Sequence, residues 1–330
     1  MSVIFIASFI GALHNPGPRS VPLAFAGSQA QASALRSALA HQAPGGFIVT
    51  AYPTETAARN AISDRSANAA LVPRPRAELL LVATAAGKAM TDATVSDVHA
   101  AVRGSGLRLV VQNIRPLHSS DPEGLSQVFF VIALVAPSMV FGRALATQIA
   151  KDLHPLRQLA MIAVYAAVIG AVAITFADAV IGALTGAPWG LFGIGTLLAF
   201  TAAVAAAAAS RWAGGAGYLV IFLILIPIGV ASSGTTLGPN MITPWYADVG
   251  KGLPVGAGLP AVQNTVYFNA NAITTQLLTL SAWALGGAIL LVMAGVLHWP
   301  MPGERSHASG HASGTQPRHA VTAGRARRGS

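Results

Sequence analysis

The sequence predicts an α-helical polytopic membrane protein of about six spans, the first one truncated, with a mixed α/β domain inserted on the extracytoplasmic side. Three observations carry that expectation. Of the 330 residues, 53% are hydrophobic and only 9% charged, with a mean hydropathy of +0.59. An ordinary soluble domain carries roughly 25% charged residues, so much of this surface must face lipid. Charge is also unevenly placed, since residues 14–125 hold 17 of the 31 charged side chains and residues 126–300 only eight. Finally, five later stretches, at about 126–146, 159–184, 189–210, 215–233 and 275–298, approach or exceed the length needed to cross a bilayer, roughly 20 apolar residues.

The first element is SVIFIASFIGAL (2–13), uncharged but too short for a full crossing. A signal peptide has an apolar core of about this length, yet this segment lacks a basic leader and a small-x-small cleavage site. The reading adopted is residues 1–13 as a first span shortened by a start codon placed too late.

Residues 14–125 then alternate strand and helix. VPLAFAG (21–27) precedes SQAQASALRSALAHQ, and FIVTAYP (47–53) precedes TETAARNAISDR, where Thr54 caps a helix with Ala57, Ala58 and Ile62 facing inward. ANAALVPR and AELLLVATAAG read as strands joined by a Pro-Arg turn, KAMTDATVSDVHAAVRG as a helix and LRLVVQNIRPL as a last strand. The order β-α-β-α-β-β-α-β describes a small mixed α/β domain with one core.

No catalytic constellation stands out. GSQAQ lacks the spacing of a nucleophile elbow, and Gly87-Lys88 lacks the upstream glycine of a phosphate loop. Glu55, Asp64, Glu78, Asp92 and Asp97 read as a solvated surface among arginines. No cofactor and no metal site is implied. Cysteine is absent, which removes disulfides and thiolate chemistry. The net charge of +9 does not point to nucleic acid, because the cations form no stripe with interleaved aromatics.

The five spans of residues 126–298 follow. Pro137 and Pro227 fall inside spans, where neighbouring helices can satisfy the freed carbonyls. Lys and Arg alternate between loops: Arg143, Lys151, Arg157, Arg211 and five tail arginines lie on one side, against Lys251 on the other. The cation-rich side is cytoplasmic by the positive-inside rule, which puts residues 14–125 outside a plasma membrane and the C-terminus inside. The tail, 299–330, reads as disordered, basic and able to touch anionic lipid.

Three groups are candidate functional residues. Asp178 is the one acid well inside an apolar stretch, a position that marks function by default. Residues 234–274, interrupted by four prolines, read as a re-entrant or surface-lying hairpin over the outer mouth. Its Trp245, Tyr246, Tyr267 and Phe268 could line a substrate exit or anchor in the headgroups. ATQIAKDLHPLRQ (146–158) puts Lys151, Asp152, His154 and Arg157 in one cytoplasmic loop.

Four stretches resemble a known family in the same order: GALHNPGPRSVPLAFAG, TETAARNAISDRSANAALVP, NIRPLHSSDPEGLSQVFF and LGPNMITPWYADVGKGLPVGAGLPAVQNTVYF. They are similar to YhgE/Pip-type, ABC-2-like membrane proteins over about residues 5–298. That resemblance implies an α/β ectodomain between the first two of six helices, a permease that pairs with itself or a sister subunit, and an ATP-binding-cassette ATPase in a separate chain. Lys151, Asp152, His154 and Arg157 are then the coupling candidates. The expected function is export of a hydrophobic or amphipathic substrate, with a membrane-anchored receptor or scaffold for cell-envelope or secretion partners as the alternative.

Overall fold

The computed structural model describes residues 2–14, 16–234 and 237–297; the basic tail and its Trp299 lie outside the described residues. After helix α1 (Ser2–Leu13) come β1 (Val21–Ala26), α2 (Gln29–Gln42), β2 (Phe47–Tyr52), α3 (Glu55–Ser63), β3 (Ala69–Pro73), β4 (Ala77–Val82), α4 (Lys88–Val102) and β5 (Arg108–Asn113). This is the alternation expected of the polar module. Local chemistry sets its punctuation. Ser28 and Gln31 form a reciprocal capping box at α2, and the Thr54 hydroxyl accepts from the Ala57 amide to start α3.

The five strands lie in the order β2-β1-β3-β4-β5. β3 and β4 are an antiparallel hairpin, while the other neighbours run parallel. β1 contributes to two cores, one on each side of the sheet, with Leu23, Ala24 and Phe25 alternating between them. Leu23 and Phe25 pack with Leu35 and Leu39 of α2 and Val98 of α4, whereas Val21 and Ala24 pack with Ala58 and Ile62 of α3. Glu78 departs from the expected solvated surface. One of its carboxylate oxygens is buried without a hydrogen-bond partner, and burial pushes its pKa up.

The described residues that follow are mainly helical: α5 (Ser126–Ala144), α6 (Pro155–Ile174), α7 (Pro188–Leu223), α8 (Gly229–Ser232), α9 (Pro244–Lys251), α10 (Pro254–Tyr267) and α11 (Thr274–Leu297). Asp121 starts α5 by accepting from the Leu125 and Ser126 amides, each at 2.9 Å. Wider π-helical turns extend α5 to Ile149, extend α6 to Val180 and join α7 to α8 around Pro227.

Among the described residues, four helical stretches are long and apolar enough to cross a membrane: Ser126–Ile149, Pro155–Val180, Pro188–Ser232 and Thr274–Leu297. The expected stretches 189–210 and 215–233 both lie in the third, an apolar run of 45 residues broken by a kink. Inside it Ala213 and Gly214 leave helical geometry, and Gly214 takes φ +57°, which a glycine adopts without strain. The chain folds back there. A Cβ on Gly217 would meet the Ala209 carbonyl, and further along Gly229 and Leu198 both meet α10. The two arms are therefore antiparallel neighbours.

Small residues let these helices approach closely. Gly142 of α5 lies directly against the Ala203 backbone of α7, leaving no room for a side chain. Large apolar side chains point outward on the same helices, among them Val140, Val164, Val168 and Leu285. That pattern suits lipid rather than water.

Replacing Glu78 by Gln tests the buried carboxylate. Its raised pKa means that folding disfavours the charged form, a penalty present at neutral pH and absent once both states are protonated. Glu78→Gln should raise the melting temperature by about 1 °C at pH 7, the group being partly exposed. The gain should vanish below the ordinary carboxylate range, as read by thermal unfolding at several pH values.

Candidate functional site

The segment between α8 and α11 is the junction of the molecule. α9 and α10 form a helical hairpin whose turn, Lys251–Leu253, lies beside α11 well below its start: the Thr279 hydroxyl donates to the Lys251 carbonyl and the Trp283 indole to the Gly252 carbonyl. α10 is almost entirely buried, its glycines admitting Leu198 of α7 at Gly258.

Both ends of the hairpin are built into the α/β module. On entry, the Arg19 amide donates to the Asn240 carbonyl at 2.8 Å and the Met90 amide to the Leu237 carbonyl at 3.0 Å. The Asn240 side chain returns bonds to the Arg19 and Ser20 carbonyls. Gly87 and Gly238, at φ +138° and +104°, meet backbone to backbone, where a Cβ on Gly87 would lie 2.9 Å from the Gly238 Cα. On exit, Phe268 is wholly buried in the module's second core, with Met241 beside it. Asn271 donates to the Ser63 carbonyl at 3.0 Å.

This junction encloses a polar cavity of about 270 Å³. Arg65, Asn68, Ser232, Lys251, Asn264 and Gln276 line it, with no acidic side chain in the lining among the described residues. Arg65 has a left-handed backbone at φ +64°, and its guanidinium lies 4.5 Å over the Phe268 ring. Desolvation lowers its pKa to about 10, so it stays charged at neutral pH at an energetic cost. Its Nη1, Asn264 Oδ1 and Gln276 Oε1 are buried with no hydrogen-bond partner.

A second cavity, of about 470 Å³, lies further along α11 between that helix and the two arms of α7. It is almost purely apolar, with Ala205, Ile221, Gly287 and Leu290 among its walls and Trp212 and Trp283 fixing its ends. The Trp212 indole donates to the Leu290 carbonyl at 3.0 Å. Gln276, Trp283, Gly287 and Leu290 recur at helical spacing on one face of α11. The polar and apolar cavities therefore succeed each other along roughly 21 Å of one helix.

The basic ends of the helices gather opposite the α/β module. Arg143 stacks 4.5 Å over the Tyr218 ring, and Arg211 donates to the Ala146 and Lys151 carbonyls. No separate helix forms within 150–154; a short loop presents Lys151, Asp152 and His154, with Arg157 on the first turn of α6, all four exposed. The loop is held from below. Buried Gln158 donates to the Ala150 carbonyl at 2.7 Å and the Leu153 carbonyl at 3.2 Å, and the His154 side chain caps α6 through the Leu156 amide.

The sequence-derived residues thus fall in several places. Lys151, Asp152, His154 and Arg157 are together. Trp245, Tyr246, Tyr267 and Phe268 are not: Trp245 is exposed, Tyr246 bonds the Ser8 hydroxyl of α1 at 2.7 Å, and Tyr267 and Phe268 pack into the module. Asp178 is half-buried on the π-helical turn that ends the α6 stretch, on the module's side. Arg65, Asn264 and Gln276 came from the structure; an isolated positive charge after TETAARNAIS carries no mark of burial. No family model, curated protein or solved structure matches the chain. Nothing in these comparisons identifies a YhgE/Pip-type or ABC-2-type family.

Gln158→Leu should loosen the exposed loop, because two carbonyls lose their donor at a cost of about 1–3 kcal/mol. Hydrogen exchange should accelerate at the amides of 150–157 and leave the α/β module unchanged.

Proposed function

We propose that this chain is a permease-like subunit of a plasma-membrane ABC-2-type exporter that moves an amphipathic molecule, with the ATPase in a separate chain. The observation that carries the reading is the pair of cavities along α11, polar beside the module and apolar beyond it. A molecule with a polar head and an apolar tail matches both at once.

On this reading α1, α5, α6, the two arms of α7 and α11 are the six spans, the first of them truncated. The cations at Arg143, Lys151, Arg157 and Arg211 argue for a cytoplasmic face there and an extracytoplasmic α/β module. The firmly held loop at Lys151, Asp152, His154 and Arg157 is a suitable contact for an ATPase, since a rigid loop transmits displacement better than a slack one. Pairing with itself or a sister subunit, as the sequence resemblance implies, would supply a second half to the pathway. The alternative, a receptor or scaffold that binds envelope or secretion partners, draws support from the locking of the module onto the bundle, which presents its surface at a fixed angle.

The absence of cysteine makes the sidedness directly testable. Ser37→Cys in α2 should react with a membrane-impermeant maleimide on intact cells, whereas Lys151→Cys should react only after permeabilisation. The reverse pattern contradicts the topology. A bound ATPase should co-purify with the wild-type chain and be lost on reversing the charges of Asp152 and Arg157; undiminished capture removes the coupling assignment and leaves the receptor reading.

A further inference from the structure

We propose that the polar cavity at Arg65 binds a hydroxyl-bearing phosphoester, of the kind found in a glycerol-phosphate headgroup. The inference deepens the function proposed above by naming the polar end of its ligand, and it rests on reading that cavity as the headgroup end. Its occupancy does not require that transport take place.

The chemistry follows from what the cavity leaves unsatisfied. Arg65 brings a largely buried guanidinium to the wall of the cavity with Nη1 unpaired among the described residues, and a buried cation without a counter-charge is costly. Lys251 adds a second cation at the rim, and the lining offers no carboxylate. Although Lys251 contacts Asp248 at 2.6 Å, that pair is largely exposed and Asp248 is not part of the lining. An oxyanion is therefore the group the site lacks, and a guanidinium is well shaped for two phosphate oxygens.

A bare anion would leave the job half done. Asn264 donates its Nδ2 to the Ala272 carbonyl, which assigns its free Oδ1 as an acceptor facing no donor. Gln276 presents a second unpartnered amide oxygen. These acceptors call for hydroxyl or ammonium donors on the same ligand. Two cations against one such ligand favour a net anionic molecule, hence hydroxyls rather than an amine. The cavity volume of about 270 Å³ accommodates a glycerol-phosphate group and excludes a large oligosaccharide. Packing of the Arg65 guanidinium 4.5 Å over the buried Phe268 ring restrains it in place for this role.

Two sources share this chemistry, the phosphatidylglycerol headgroup and free glycerol 3-phosphate. The full chain would be reconstituted in nanodiscs of phosphatidylcholine, of phosphatidylcholine with phosphatidylglycerol, and of phosphatidylcholine with added glycerol 3-phosphate. Melting temperature and lipid retained in native mass spectrometry would be read for each. Stabilisation by phosphatidylglycerol alone identifies a lipid headgroup, and stabilisation by glycerol 3-phosphate as well identifies the soluble group as sufficient. Arg65→Gln should lose the shift and retain at least tenfold less ligand, Arg65→Lys should recover part of it, and Lys251→Gln should weaken retention a few-fold. Equal behaviour of wild type in all three discs overturns the proposal. So does an undiminished shift in Arg65→Gln, since the basic tail is identical in that variant. Should Arg65→Gln fail to fold, the wild-type comparison and Lys251→Gln decide alone. Ligand retention without ATPase capture would sink the exporter reading and leave this site standing.

Discussion

The α/β module depends on side chains from the membrane half of the chain to close its core. Phe268 and Met241 fill the side of the sheet covered by α3, and Leu237 and Tyr267 pack around them. Burying one phenylalanine contributes about 1.5–3 kcal/mol, a large share of what a domain of this size has to spare. With no disulfide available, the module has no covalent substitute. The backbone bonds from Arg19 and Met90 to Asn240 and Leu237 add direction to that apolar contact. The entry and exit of the α9–α10 hairpin are therefore part of the module's core, which ties the module to the bundle by packing as well as by the chain.

That shared core explains why polar groups collect where they do. Three elements of different character meet at the junction: the start of the central strands β1 and β3, the α9–α10 hairpin and the start of α11. The result is a cavity with an unpaired guanidinium and unpaired amides. Below it the helices approach through glycine and alanine, which leaves an apolar hollow between α7 and α11. A polar hollow over an apolar one is a consequence of this layering, and it is the feature on which the functional reading stands.

Much of the architecture was legible in the sequence because it is local. Strand and helix alternate through residues 21–113 with a period that can be counted, and Thr54 announces a helix start by the bond its hydroxyl makes a few residues on. The reversal at Ala213–Gly214 was legible as a break between two apolar stretches, and the backbone leaves helical geometry at those two residues. The junction was not legible. Asn68 and Asn240 meet across 172 residues of chain, and no short-range pattern encodes such a pairing. Phe268 has the composition of a headgroup anchor and proves to be core; Arg65 and Glu78 have the composition of surface charge and prove to be largely or partly buried. Burial is set by distant partners, which is why these three escaped a reading by composition. The loop at 150–157 was found by its charge, while the Gln158 amide that holds it was not.

The rigidity of the junction is the claim that everything else requires, and one distance measures it. Spin labels at Ser96→Cys on α4 and Thr275→Cys at the start of α11, introduced into the otherwise cysteine-free chain, report the separation of module and bundle by pulsed electron resonance. A shared core predicts a single narrow distance distribution in nanodiscs. A broad or multimodal distribution would mean that the module swings on a tether, and the joint cavity would have no fixed walls.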